Sequence, residues 1–286
     1  MTQPNDGGPV GYHAIKALSN SSLSVLKRSP TEFYKRFVTE DPKERMTVEE
    51  SDAMLLGSAV HMLALEPDEF DDKYRIETGP INASTGRPYG RDSKKFEAWL
   101  DRAMYEDARI ILLQEEFAES LAIAKAFQSH PTIAAIMSSR AEKLFESEYS
   151  MLWVEDDGSE LDLKCKIDFV CPSERLIIDL KTTSDPSPYA WSWSAEDFGY
   201  HRQAAIYSDA MQAKYGEPFR FLFGVVRSKE PHEAAAYELD AESIQRGRVE
   251  YEALIEEYVD RKSTNDWLSD WQRGVFPINV PARRRK

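Results

Sequence analysis

The chain has 286 residues, 42% of them hydrophobic, and a formal net charge of −14, so it can bury a full core while its acidic balance argues against indiscriminate binding of polyanions. Nucleic acid as a partner must therefore be argued from a local site. No apolar run approaches the ~20 residues of a membrane span, the N-terminal MTQPNDGGPVGYH lacks the regions of a signal peptide, and Cys165 and Cys171 are too few for a disulfide framework, a four-cysteine zinc site or an iron–sulfur cluster. A cytoplasmic protein with reduced thiols and no membrane contact is expected.

The first half reads as helical. NSSLSVLKRSPTEFYKRFV offers a cap-rich start and apolar positions at helical spacing, with Pro30 opening a second helix. SDAMLLGSAVHMLALEPDEF is a further helix that ends before Pro67. Residues 77–92, ETGPINASTGRPYGRD, hold three glycines and two prolines and read as an exposed loop. Helical patterns resume through DSKKFEAWLDRAM and from Glu115 to about Met137, the latter broken near Pro131. Arg87, Arg91, Lys94, Lys95 and the terminal RRRK are basic clusters, which more often solvate a face or a tail than bind a ligand.

The pattern changes near Lys143. LFESEYSMLWV, the turn EDDG, ELDLKCKIDFV, the turn CPSER and LIIDLKT form a strand meander. In its middle strand Leu161, Leu163, Cys165, Ile167 and Phe169 are expected on one face, with Glu160, Asp162, Lys164, Lys166 and Asp168 on the other. WSAEDFGYHRQAAIYSDAMQAKYG then reads as one helix, with Ser194 and Asp197 matching a capping box and Gly216 marking its end. Two strands, FRFLFGVVRS and EAAAYELD, precede a helix over roughly 241–261 and a tail with Trp267 and Trp271. The fold class expected is α/β, a central mixed β-sheet flanked by helices, in a single domain: a mainly helical part over 1–140, a sheet core over 141–262 and a tail over 263–286.

The strand LIIDLKT poses the functional question, because Asp179 and Lys181 interrupt an apolar run. Two apart in a strand, they share the face opposite Ile178 and Leu180. If the strands flanking CPSER pair as a hairpin, partner numbers add to about 347, which sets Asp168 across from or diagonal to Asp179. Carboxylates that close are destabilising unless a positive charge lies between them, and a hard divalent cation suits oxygen ligands. The plainer alternative is a strand surface on which Lys181 neutralises both acids. Three features favour the site: Gly57 and His61 lie one turn apart, so that the glycine can let the helix approach the sheet and present the imidazole; Tyr200, Gln203 and Tyr207 form a stripe on one helix; and Thr182 begins a run of hydroxyls just beyond Lys181.

The ordered set Gly57-x-x-x-His61, Asp168, Asp179-x-Lys181 and Gln203-x-x-x-Tyr207 resembles the PD-(D/E)xK nuclease superfamily in its RecB-like branch. GSAVHMLALEPDEF, KIDFV, IIDLKTT, YHRQAAIYSDAM and LSNSSLSVLKRSPTEFYKR resemble segments of phage and prophage exonucleases of the RecE (exonuclease VIII) type, nearly the whole chain to about residue 260. The second acid is Asp179 where the pattern also allows Glu, and Ile167 stands where the superfamily name has proline. The resemblance implies a nuclease fold and a magnesium-dependent exonuclease, with manganese able to substitute, that degrades the 5′ strand of linear double-stranded DNA and leaves a 3′ tail; the alternatives are a single-strand or structure-specific nuclease and a non-catalytic DNA-binding protein on the same fold. It implies Asp168, Asp179 and His61 as metal ligands, with the Leu180 carbonyl as a further one, Lys181 as the group acting on water or phosphorus, and Gln203, Tyr207, Tyr200 and Thr182 as site support or DNA contacts. Glu66 is a weaker metal candidate. The implied partners are DNA ends, a single-strand annealing protein and further copies of the chain in a ring.

Overall fold

The computed structural model describes residues 17–46, 51–139, 141–154 and 160–279. The N-terminal MTQPNDGGPVGYH, the EDDG turn and the terminal RRRK lie outside them.

Serine caps set the opening helices. Ser19 and Ser22 form a reciprocal capping box for α1 (Asn20–Arg28), and Ser29 caps α2 (Pro30–Phe33), which runs into a π-helical turn at Tyr34–Val38. Ser51 caps α3 (Asp52–Leu65), which ends before Pro67 as expected. The chain continues through α4 (Phe70–Lys73), β1 (Tyr74–Glu77), α5 (Lys94–Glu106), β2 (Ile110–Leu113), α6 (Gln114–Ser129) and α7 (Pro131–Ser138), the last two separated at Pro131. The parallel pairing of β1 with β2 is a small sheet that the sequence reading missed.

Among the described residues the main sheet has five strands: β3 (Leu144–Val154), β4 (Glu160–Cys171), β5 (Leu176–Thr183), β6 (Arg220–Arg227) and β7 (Ala234–Glu238), in that spatial order. Only β5 and β6 run parallel, so the sheet is mixed. Their crossover carries α8 (Pro188–Asp197) and α9 (Tyr200–Tyr215), and α10 (Ala241–Thr264) packs on α9. Among the described residues, no helix is long and apolar enough to cross a membrane.

Two cores flank the sheet. On one side Ile177 and Phe223 pack with Leu26 of α1, Ile206 of α9 and Leu254 of α10. On the other Ile178, Leu180 and Phe169 pack with Val60 of α3 and Phe127 of α6. Burial on both faces explains the unbroken apolar run that opens β5, a pattern proper to interior strands with a parallel neighbour. Both cysteines are free and buried, and burial pushes the Cys165 thiol up to about 12, so it is chemically quiet.

Three local expectations fail. The helix read across WSAEDFGYHRQ is two helices, α8 capped by Ser187 and α9 entered through Gly199 at φ 68°, while the Ser194 hydroxyl donates to the Ala190 carbonyl within α8. In β4, Leu163, Cys165 and Ile167 share the core on the α9 side, but Phe169 packs on the α3 side and Val170 takes its place. The alternation thus slips by one residue at Asp168. Finally, Gly57 does not mark a close approach of α3 to the sheet, because a Cβ there would meet nothing within 4 Å.

A real close approach lies at Gly247 of α10, where an added Cβ would come within 2.3 Å of the His201 carbonyl oxygen in α9. Backbone cannot yield as a side-chain tip can, so Gly247→Ala should force α9 and α10 apart and cost about 1–3 kcal/mol or more. Urea titration should show a lowered midpoint with an unchanged m-value; an unchanged midpoint would mean that this contact is loose in solution.

Candidate functional site

The hairpin β4–β5 pairs in the register that the sequence implies: Phe169 opposite Ile178, Val170 opposite Ile177 and Cys171 opposite Leu176. The next pair would be Asp168 with Asp179, and there the ladder stops. In place of a strand partner, the Leu180 backbone N–H donates to Asp168 Oδ2 at 2.8 Å. A carboxylate side chain has replaced a backbone carbonyl, and the strands part around two acids.

His61 enters this opening from α3. Its Nδ1 lies 3.3 Å from Asp168 Oδ2 and its Nε2 lies 2.9 Å from the Leu180 carbonyl oxygen. Both ring nitrogens face acceptors, the setting of an imidazolium. Burial pushes the His61 pKa down, but the charge and hydrogen bond of Asp168 outweigh it and hold it above the usual value. In turn, burial pushes Asp168 up, yet His61 and Lys181 hold its carboxyl below the usual range.

Asp179 is only 1% exposed. Gln203 Nε2 donates to its Oδ1 at 2.6 Å, and Lys181 Nζ lies 2.5 Å from its Oδ2. That ion pair is close but misaligned, so Oδ2 accepts no hydrogen bond of good geometry. Burial pushes the Asp179 carboxyl up to about 6, against the pull of Lys181 and with a further push from Asp168. Lys181 is held above its ordinary value, because Asp179 and Asp168 outweigh its own burial. Its ammonium sits 5.1 Å from the centroid of the Tyr200 ring, a cation–π contact.

The structure brings His61, Asp168, Asp179, Leu180, Lys181, Tyr200 and Gln203 together. Tyr207, further along α9, is buried against Phe221 with ring centroids 6.1 Å apart. Thr182 pairs with Val226 on the other face of β5 and lines a cleft of about 510 Å³ with Leu55, Leu56, Leu112 and Lys229. Glu66 caps the C-terminus of α3 beyond the His61 turn.

Among the described residues no three His, Cys, Asp or Glu side chains stand ready to hold a metal. The protein's own cations occupy that place: Lys181 sits on Asp179, and His61 on Asp168 and the Leu180 carbonyl. The donors nevertheless fit a hard divalent ion. Two carboxylates and a backbone carbonyl converge, and Asp179 Oδ2 is a buried oxygen without an aligned donor. Asp168, Asp179 and the Leu180 carbonyl would hold the ion once Lys181 turns aside, and His61 could join only after losing a proton.

The sequence reading also missed the support behind the site. Arg202, adjacent to Gln203 and 1% exposed, donates from Nε to Asn20 Oδ1 at 2.9 Å and from Nη2 to Ser24 Oγ at 2.5 Å, and pairs with Glu250. Lys27 and His201 reach the same carboxylate at 3.0 and 3.1 Å. Burial pushes Glu250 up, but these three cations hold it down at about 2. The network fixes α9, and with it Tyr200 and Gln203, to α1 and α10. A charged residue in the otherwise apolar middle of YHRQAAIY was the available signal.

Residues 19–269 match the PDDEXK-like domain of unknown function, DUF3799. The chain belongs to this family. Its sheet and flanking helices are accordingly those of a PD-(D/E)xK nuclease fold, as the ordered motifs implied. Among solved structures, a protein from Eubacterium rectale provisionally assigned as an exonuclease superposes with a TM-score of 0.60 at 16% identity, covering 99% of this chain and 97% of that one. A phage-related exonuclease from Haemophilus somnus 129PT gives a TM-score of 0.36 at 14% identity over 87% and 96% of the two chains, too slight a likeness to argue from. Curated proteins gave no significant match.

Folding raises the Asp179 pKa, so the native state holds that proton more tightly than the unfolded chain, and this group's contribution to stability is lost as pH rises from 3.8 through about 6. Asp179→Asn should therefore gain in thermal stability relative to wild type across that interval, with the difference largest above pH 6 in metal-free buffer. Melting curves at a series of pH values give the answer, and a variant that loses stability relative to wild type as pH rises would show that the Lys181 pair outweighs burial.

Proposed function

We propose that this protein is a metal-dependent exonuclease of linear double-stranded DNA that degrades the 5′-ended strand and leaves a 3′ single strand. The observation that carries this reading is the ending of the β4–β5 ladder at Asp168 and Asp179, with Lys181 on the same strand face. A structural surface has no use for a buried acid opposed by a half-buried one, a pair that costs stability unless a ligand repays it.

Magnesium, or manganese in its place, would polarise the scissile phosphate and lower the pKa of a bound water. The chain's own groups do the rest. Gln203 fixes the rotamer of Asp179 through Oδ1, leaving Oδ2 for the ion. His61 holds the Leu180 carbonyl and the Asp168 carboxylate in place. Lys181, on the same strand face as Asp179, would offer its ammonium to the attacking water or to charge developing on phosphorus, a contact worth most in the transition state. Thr182, facing the adjoining cleft, and Tyr200 are DNA contacts in this scheme.

Attack at ends follows from charge. An acidic surface gains little from the phosphate backbone at large, so engagement depends on a confined channel that admits a terminus. A ring of copies would provide such a channel. That ring, the 5′ polarity, the annealing protein that receives the 3′ strand and action in the bacterial cytoplasm are supported by the likeness of the motifs to RecE-type exonucleases. The assignment of the Eubacterium rectale neighbour as an exonuclease supports the exonuclease reading and nothing finer.

The Lys181–Asp179 contact also favours a second reading, an ion-paired structural surface on the same fold. Single-turnover cleavage separates the two. Lys181→Ala, shown to be folded, should keep a magnesium-induced rise in melting temperature and lose about 10²–10³ in cleavage rate. A rate within a few-fold of wild type, with stability lost instead, would support the structural reading.

Linear duplex incubated with magnesium should disappear while covalently closed duplex of the same sequence survives. Equal loss of both would overturn attack at ends.

A further inference from the structure

Tyr200 does not finish the site on its outer side. Its ring stacks inward on the buried Trp191 at 5.2 Å and 24°, and outward it meets Phe198 at 5.6 Å and 35°. Phe198 is 62% exposed. From Lys181 a continuous series of contacts therefore leads through Tyr200 to a bare aromatic face in solvent.

The backbone beneath that ring is tightly defined. The Phe198 N–H donates to the Ser194 carbonyl at 3.0 Å and closes α8. Gly199 follows at φ 68°, and a Cβ there would fall 2.5 Å from Arg202 Nη2. Left-handed backbone and a buried guanidinium both require glycine at that position. Phe198 is thus held between a helix end and the Arg202 network, not on a drifting loop.

We propose that Phe198 is a stacking platform for an unpaired nucleobase of the substrate strand, next to the phosphate that Lys181 serves. This rests on the nuclease reading above and adds to it the substrate's form, a strand whose bases are parted from their complement beside the site. Charge explains why such a platform is needed. Net charge −14 leaves little attraction for the phosphate backbone, whereas stacking on an aromatic face tolerates any base.

The test uses the full-length protein in calcium with magnesium withheld and DNA with single-stranded ends carrying 2-aminopurine at each position in turn. One position should be quenched on binding. Phe198→Ala should relieve that quenching and weaken binding about tenfold or more, by the same factor at low and high salt, because no counterion is involved. Phe198→Trp should restore both, and Phe198→Leu neither. If Leu restores binding as well as Trp does, Phe198 only shelters Tyr200 and the proposal is wrong. If wild type degrades linear DNA but no position depends on Phe198, stacking fails and the nuclease reading stands. Wild type that neither binds nor degrades DNA would remove both.

Discussion

Repulsion between Asp168 and Asp179 organises the rest of this molecule. Two carboxylates reach adjacent positions at the end of an otherwise regular hairpin, and every neighbouring group answers that conflict. The Leu180 N–H and His61 turn to one acid; Gln203 and Lys181 turn to the other. Helices α3 and α9, on opposite faces of the sheet, are thereby drawn to a single point on β5. What a purely stable sheet would avoid becomes the place where both layers meet.

The balance of charge at this point is poised rather than neutral. Each acid has a cation of its own, yet burial and mutual repulsion push Asp179 up while His61 and Lys181 hold Asp168 down. Two chemically identical groups in one opening thus take different protonation behaviour from their surroundings. Such asymmetry suits a site that exchanges internal cations for an external one.

Much of this was legible because strand periodicity and turn chemistry are local. CPSER between two apolar runs fixes a hairpin, the hairpin fixes the register, and the register places Asp168 beside Asp179 without any tertiary knowledge. The serine caps and Pro30, Pro67 and Pro131 set helix ends by equally local rules. What escaped depended on distant partners. The β1–β2 pair joins two four-residue segments whose pairing no local pattern announces. Ser194 mimicked a cap, whereas the true break at Gly199 is demanded by a guanidinium threaded beneath it from the next helix. Phe169 changed sides because the strand slips at Asp168, and Gly57 faces open space where a close approach was expected.

The Arg202 network bears on the order of synthesis. Asn20 and Ser24 leave the ribosome well before Glu250, the α10 backbone that rests on His201, and Trp267, which stacks on Phe33 at 5.7 Å. Until those late residues arrive, α9 lacks its counter-charge and Gln203 has no fixed address on Asp179. A nascent chain can therefore complete the hairpin with both acids while still lacking a seated α9. A fragment ending before Glu250 would carry the acidic pair without the frame that aims it.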